Sequence, residues 1–365
     1  MPCGRWAKIN YFTIFAGMKL KSIRFRFLVL FVMLTALPAA AQEYVASSML
    51  GSGRWIRIAV TEPGIYRIDF AQIKNMGFTD PASVAIFGNN TGQLSFYNDG
   101  TEPDDLRQVA LKTDRGSDNV FNEGDFILFY GEGTHRYIYN ESSGYYDFLR
   151  HHYSDTAFYF ITSRAGAALQ VKTAGAAAGE PVLFPNTTDV CFRYETEGSN
   201  LLRSGREWYQ QVIPERENSV DPRFRNMITG EQIRYRARVL ARSDSESRFI
   251  LRQGTQVIKT LTVPAVNPAD LNGVYASIVI AEDSCLAASA SPLFSVTYSG
   301  SGNTAATGYV DFIDIQGRAQ LNYSDRQLFV SDSRTAGAGN LSRFSIAGTT
   351  ALSVWDVTDP FAPLI

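Results

Sequence analysis

The stretch Ile233-Arg234-Tyr235-Arg236-Ala237-Arg238-Val239 alternates apolar and charged residues without a break. A period of two over seven residues fits an antiparallel strand with one buried face, and it fits no helix. Similar short runs recur at residues 249–251, 257–263, 276–280, 293–298, 309–315, 328–330 and 352–357, set off by Gly, Pro, Asn or Asp. Many short strands separated by turn residues predict an antiparallel β-sandwich or jelly-roll-like domain.

The front half has a different texture. Trp55–Val60 alternates, Glu62-Pro63-Gly64 carries Pro and Gly where a type II turn uses them, and Ile65-Tyr66-Arg67-Ile68 returns, which predicts a hairpin. Asp69 with Gln72 three residues on predicts the start of a short helix, with Phe70, Ile73 and Met76 on one face and Gly77 as its stop. Val84–Gly88, residues 126–130 and residues 157–161 are apolar runs that suit central strands. Residues 165–180 are rich in Ala and Gly and read as a connection. The expected fold is therefore mainly β: a small mixed β domain over 42–180, then the sandwich over 181–358, with 359–365 as a connector. Aromatics at 13%, with 24 Phe and 18 Tyr, suit such pleated surfaces.

Residues 18–41 form a secretory signal. Lys19, Lys21, Arg24 and Arg26 precede an apolar run from Phe27, and Pro38 precedes Ala39-Ala40-Ala41, the small-residue site a signal peptidase accepts. The run is short beside the roughly 20 apolar residues of a spanning helix. Residues 1–17 read as an upstream extension ahead of a complete leader. The expected location is the periplasm or the outer-membrane surface. Six basic and no acidic side chains lie in residues 1–41, so the remainder holds 28 basic and 36 acidic groups, a net of −8. That balance argues against nucleic acid as a partner.

No assembled catalytic site is legible. The three histidines, His135, His151 and His152, fall in the first domain, while Cys191 and Cys285 fall in the second. An oxidising compartment leaves a disulfide between Cys191 and Cys285 open, alongside two buried thiols. His151-His152-Tyr153-Ser154-Asp155 holds triad letters too close in sequence to converge, and adjacent histidines diverge as metal ligands. Asp114, Asp118, Asn119, Asn122, Glu123 and Asp125 offer oxygens to calcium, but the spacing misses the EF-hand loop and a plain turn accounts for them. No phosphate loop is present, and no cofactor or metal is assigned. Arg234, Arg236, Arg238 and Arg242 read as the solvated face of one strand, with contact to an anionic partner as the sharper alternative.

Several blocks together resemble the N-terminal region of the type IX secretion system sortases of Bacteroidetes, gingipain-like cysteine peptidase relatives. They are Trp55–Val60 with Glu62 to Ile68, Val84–Gly88, Gly124 to Gly133, Tyr153-Ser154-Asp155, Ser204-Gly205-Arg206-Glu207-Trp208-Tyr209, and Val354-Trp355-Asp356-Val357-Thr358-Asp359-Pro360. The resemblance implies a role beside other secretion components and cargo C-terminal domains, which the family removes before joining cargo to anionic lipopolysaccharide by acyl transfer through a Cys thioester. The family's caspase-like catalytic domain would follow the Trp355 block, so the expectation is an accessory region truncated before it. No catalytic residue carries over; Gly205, Arg206, Glu207 and Trp208 match a block of unassigned role. A stand-alone exported protein binding surfaces or glycans, with Trp208 and Tyr209 as stacking candidates, is the expectation from another class.

Overall fold

The structure, a computed structural model, describes residues 45–89, 92–97, 103–164, 166–203, 205, 207–324, 326–348 and 353–365. The leader over 18–41, the extension over 1–17 and Arg206 lie outside the described residues.

Among the described residues nine strands build the first unit: β1 (Trp55–Val60), β2 (Gly64–Asp69), β3 (Val84–Gly88), β4 (Arg107–Val109), β5 (Leu111–Asp114), β6 (Phe126–Gly131), β7 (Arg136–Asn140), β8 (Tyr145–Leu149) and β9 (Ala157–Ser163). They form antiparallel sheets in the orders β1-β9-β3-β4 and β2-β6-β5, and β7 and β8 form a separate hairpin. The expected β1–β2 hairpin does not exist: β1 pairs with β9 and β2 with β6. Gly64 does not take the positive φ a type II turn requires. The Glu62-Pro63-Gly64 corner instead sends the chain from one sheet to the other. That lets Val60 and Ile68 enter one core with Ile73, Ile86, Phe129 and Ile161, which a two-stranded ribbon cannot offer. The short helix does form, as α1 (Phe70–Asn75); Gln72 Oε1 accepts the Asp69 N–H at 2.8 Å and Gly77 ends the turn at φ +85°.

The second unit is the sandwich. Its strands are β10 (Thr187–Glu195), β11 (Gln210–Val212), β12 (Glu217–Val220), β13 (Gln232–Arg242), β14 (Ser247–Gln253), β15 (Gln256–Val263), β16 (Ser277–Leu286), β17 (Phe294–Ser299) and β18 (Thr307–Gln320). One sheet runs β10-β18-β13-β16 with β11 also on β18, and the other runs β12-β17-β14-β15. Ile233, Tyr235, Ala237 and Val239 of β13 face inward, as the alternation predicts, against Phe249, Leu251, Val296 and Tyr298 of the opposing sheet. A register shift between Arg238 and Val239 leaves Asp311 of β18 as an extra residue. The bulge turns its carboxylate toward Arg238.

The sandwich strands end at Gln320, and residues 328–330, expected as a strand, are not one. Their side chains are exposed, and the segment meets the edge of β10 mainly through the Thr188 hydroxyl, which donates to the Phe329 carbonyl at 3.2 Å, rather than through a ladder of backbone bonds. Of the expected strand over 352–357, Leu352 lies outside the described residues and Asp356 makes only an isolated bridge. From Leu321 the chain instead straps the two units together. Gln327 donates to the Ile65 carbonyl (2.8 Å) and accepts its N–H (2.7 Å), occupying the edge of β2. Leu183 bridges Ser342, Lys172 bridges Leu364, and the Arg107 guanidinium lies 4.0 Å from the Phe361 ring.

Candidate functional surface

The outward side of β13 is where both sequence expectations for its arginines fail. Hairpin β7–β8 lies over Arg234 and Arg236, and Arg238 is held by Asp311 and Glu207, so the three are neither a solvated stripe nor free for an anionic partner. Tyr146 donates its N–H to Gln316 Oε1 (2.9 Å) and accepts from Gln316 Nε2 (2.6 Å), while its hydroxyl donates to Asp189 (2.8 Å). Arg234 donates to the carbonyls of Ser143 and Gly144 in the hairpin turn and covers the Tyr145 ring at 4.7 Å. Asp314, almost wholly enclosed, receives Arg193 at 3.0 Å and Arg236 at 3.1 Å. Burial raises its carboxyl above the ordinary value, with the two guanidiniums opposing the shift. Arg238 pairs with Asp311 and with Glu207, and Arg150 beyond the hairpin with Glu195 and Glu197. Each arginine is used on a carboxylate or carbonyl already inside the protein. Arg242 donates to the carbonyls of Tyr275 (2.8 Å) and Pro268 (2.9 Å), fixing the loop before β16.

The structure does not bring Cys191 and Cys285 together. Both are free thiols. Cys191 sits on β10, Cys285 on β16, with β18 and β13 between, so three inter-strand steps separate them by roughly 14 Å, beyond disulfide reach. They also face opposite ways: Cys285 packs on the sandwich core, and Cys191 lies under the hairpin near Tyr137 and Tyr146. Burial pushes the Cys191 thiol far up, and it pushes Cys285 up to about 11 against a 3.3 Å hydrogen bond from Gln253. Neither carries the depressed pKa of a nucleophile. Among the described residues neither cysteine hydrogen-bonds a histidine. His135 Nε2 meets Asp155 at 3.1 Å and its Nδ1 accepts the His151 N–H, while His151 Nδ1 accepts the N–H groups of Tyr153 and Ser154. The imidazoles thus shape their own loop.

The acidic stretch is likewise consumed by its turns. Asp118 accepts from Val120 N–H (2.9 Å) and Asn122 Nδ2 (2.9 Å), Asp125 from Asn122 N–H (2.7 Å), and Asp114 from Gly116 N–H (3.0 Å). These bonds hold the Asp118 carboxyl below its ordinary value.

The Gly205–Trp208 block borders an open groove of about 390 Å³ at the other end of the same sheet, lined by Leu201, Leu202, Tyr209, Leu240, Val274 and Ile278. Gly205 takes a left-handed φ of +86°, and Trp208 Nε1 donates back to its carbonyl at 3.4 Å. Glu207 accepts from Tyr209 Oη at 2.7 Å and from Arg238 at 3.0 Å, which together hold its carboxyl below the ordinary range. Tyr209 is only 4% exposed and packs with Leu240, Ala276 and Tyr309, so it is no stacking platform for a glycan. Sequence reasoning missed the groove because its far wall, residues 273–276, is an unpatterned loop.

A front unit of small antiparallel sheets strapped to a β-sandwich defines the class: a mainly β, multi-unit architecture. No family model and no curated protein matches the chain. Among solved structures, the crystal structure of dimeric latent PorU from Porphyromonas gingivalis is similar in fold, with a TM-score of 0.61 and 22% identity over 76% of this chain and 25% of that one. The chain thus spans about a quarter of the length of that structure. The CBM36-1 domain of a multidomain xylanase from the hindgut metagenome of Trinervitermes trinervoides (TM-score 0.22, 11% identity, 35% of this chain and 96% of that one) and the insecticidal δ-endotoxin Cry8Ea1 of Bacillus thuringiensis (0.25, 12%, 64% and 41%) are too distant to carry an argument.

Proposed function

We propose that the chain is a non-catalytic accessory region related to the front of a type IX secretion sortase, exported to the periplasm or outer-membrane surface, where it meets secretion components and cargo C-terminal domains. The observation that carries this reading is the PorU-like fold over 76% of the chain. Three blocks behind the sequence resemblance also coincide with core strands β2, β3 and β6 of the front unit. The buried, high-pKa thiols support a scaffolding role, because acyl transfer needs an exposed thiolate with a base beside it. Any recognition of anionic lipopolysaccharide belongs to a surface other than the β13 arginines, which are paired with Glu282, Asp314 and Asp311.

Deleting the coding region for residues 45–320 in the native host tests the proposal. Cargo is expected to keep its C-terminal domain and to lose surface attachment; unchanged processing and attachment would overturn the reading. The purified chain is expected to leave a cargo C-terminal peptide uncut, and turnover abolished by Cys191→Ala would refute the non-catalytic assignment.

A further inference from the structure

The geometry points to the first half of β16, Ser277 to Ala281, as a docking edge for an extended peptide segment of a partner protein, one with apolar residues at alternate positions and a basic residue at the next. The inference holds independently of the secretion role. β16 ends its sheet, and among the described residues no strand pairs with its far side. Exposed edges invite pairing, and proteins blunt them with short strands, charge, bulges or covering segments. Five other sheet edges here are managed in those ways. β4 and β12 have three and four residues, β15 carries Lys259, β2 is capped by Gln327, and β10 is overlaid where Asp189 N–H donates to the Ser331 carbonyl at 2.7 Å. The second half of β16 is managed too, by Glu282 and by Asp283 bound to Lys259 at 2.6 Å.

Ser277-Ile278-Val279-Ile280-Ala281 has no charge, no proline and an unbroken register with β13. Val279 and Ala281 pack inward on the sandwich core, whereas Ile278 and Ile280 stand 45% and 60% exposed on the outer face. An added antiparallel strand satisfies the edge amides and carbonyls and sets its own outward side chains beside these isoleucines. The residue opposite Ile278 reaches the groove of Leu201, Leu202, Val274 and Tyr275, which is continuous with this edge. Two residues beyond Ile280, Glu282 is half-exposed and shared only with Arg234 at 3.2 Å. Charge complementarity therefore selects a partner reading, from its N-terminus, basic-x-apolar-x-apolar.

The test titrates the whole chain against a labelled nonapeptide of alternating threonine, with valines set to meet Ile278 and Ile280 and a lysine set to meet Glu282, followed by fluorescence anisotropy and hydrogen exchange. Saturable binding that protects the 277–281 amides is expected. Ile278→Lys with Ile280→Lys should weaken it by about tenfold or more, and Glu282→Lys should shift preference to a glutamate version of the peptide. Absence of saturable binding would overturn the inference. So would equal binding of a peptide N-methylated along its pairing edge, which would mean apolar adhesion only. A concentration-dependent dimer lost in the Ile278→Lys/Ile280→Lys variant would assign the edge to a second copy of the chain, and would overturn it as well.

Discussion

Arg318 is the side chain whose removal should cost most. It lies in β18 and is nearly buried, donating to both Asp332 oxygens (2.9 and 2.8 Å), to Asp189 (2.6 Å) and to Thr187. The two carboxylates are also enclosed, with side-chain exposures of 2% and 9%. Asp332 belongs to the returning strap and Asp189 to β10; the latter also accepts from Tyr146 of the hairpin. One guanidinium thus ties strap, sandwich and hairpin together. Arg318→Met keeps much of the aliphatic bulk and leaves two buried acids without a cation, a class of change that costs about 3–5 kcal/mol. Asp189 keeps its donors from Ser333 N–H and Tyr146, and Asp332 keeps Arg334 N–H. The lower half of that range is therefore expected, about 3–4 kcal/mol. Arg318→Lys retains the charge but not the fork, so it should lose roughly half as much. Adding Asp332→Asn to Arg318→Met should recover about half of the loss, because one of the stranded charges goes with it.

The assay is urea unfolding followed by circular dichroism and by tryptophan fluorescence, since coincident transitions are needed before one free energy describes a two-unit chain. A loss under about 1 kcal/mol would show that the cluster is solvated and the strap undocked.

Three further outcomes follow from other contacts. Gln327→Ala should raise hydrogen exchange at Ile65 several-fold, a loss of about 1 kcal/mol, with sandwich amides unchanged; an unchanged Ile65 would detach the strap from β2. A Cβ at Gly308 would stand 2.4 Å from the Tyr298 ring, so Gly308→Ala should destabilise by about 1–3 kcal/mol and be partly rescued by Tyr298→Leu; a neutral result would mean the ring moves freely. At pH 8 Cys285 should react with a disulfide reagent about a hundredfold more slowly than a free thiol, and Cys191 more slowly still, with no mass change on reduction; Cys191 reacting first would contradict its burial beneath the hairpin.

What the sequence reveals here depends on who supplies the burial. β13 is legible because its inward face meets an apolar core, and so Ile233 to Val239 alternate. Its outward face is illegible for the same reason reversed. Arg236 pairs with Asp314 and lies against the Tyr145 ring of β8, and a polar residue on a strand looks alike whether water or a hairpin lies over it. The hairpin hid itself as well: apart from exposed Ile138 and buried Tyr145, residues 137–140 and 145–148 are half-buried on both sides, so no period of two emerges, although the Asn140–Gly144 turn marks where it reverses. β18 was recognised only over 309–315, since Gln316 to Gln320 carry the polar groups of the seam and strap. Strand pairing was unreadable for another reason. Trp55–Val60 and Ile65 to Ile68 are both strands in fact, yet nothing local tells a corner from a hairpin when each has apolar residues for a shared core. The same rule explains why the groove and the bare edge of β16 went unseen. Ile278 and Ile280 extend an apolar run that reads as core, and only the strand order shows that they have no neighbour. A surface made of core-like residues is invisible to patterning, and that is the kind of surface a binding module needs.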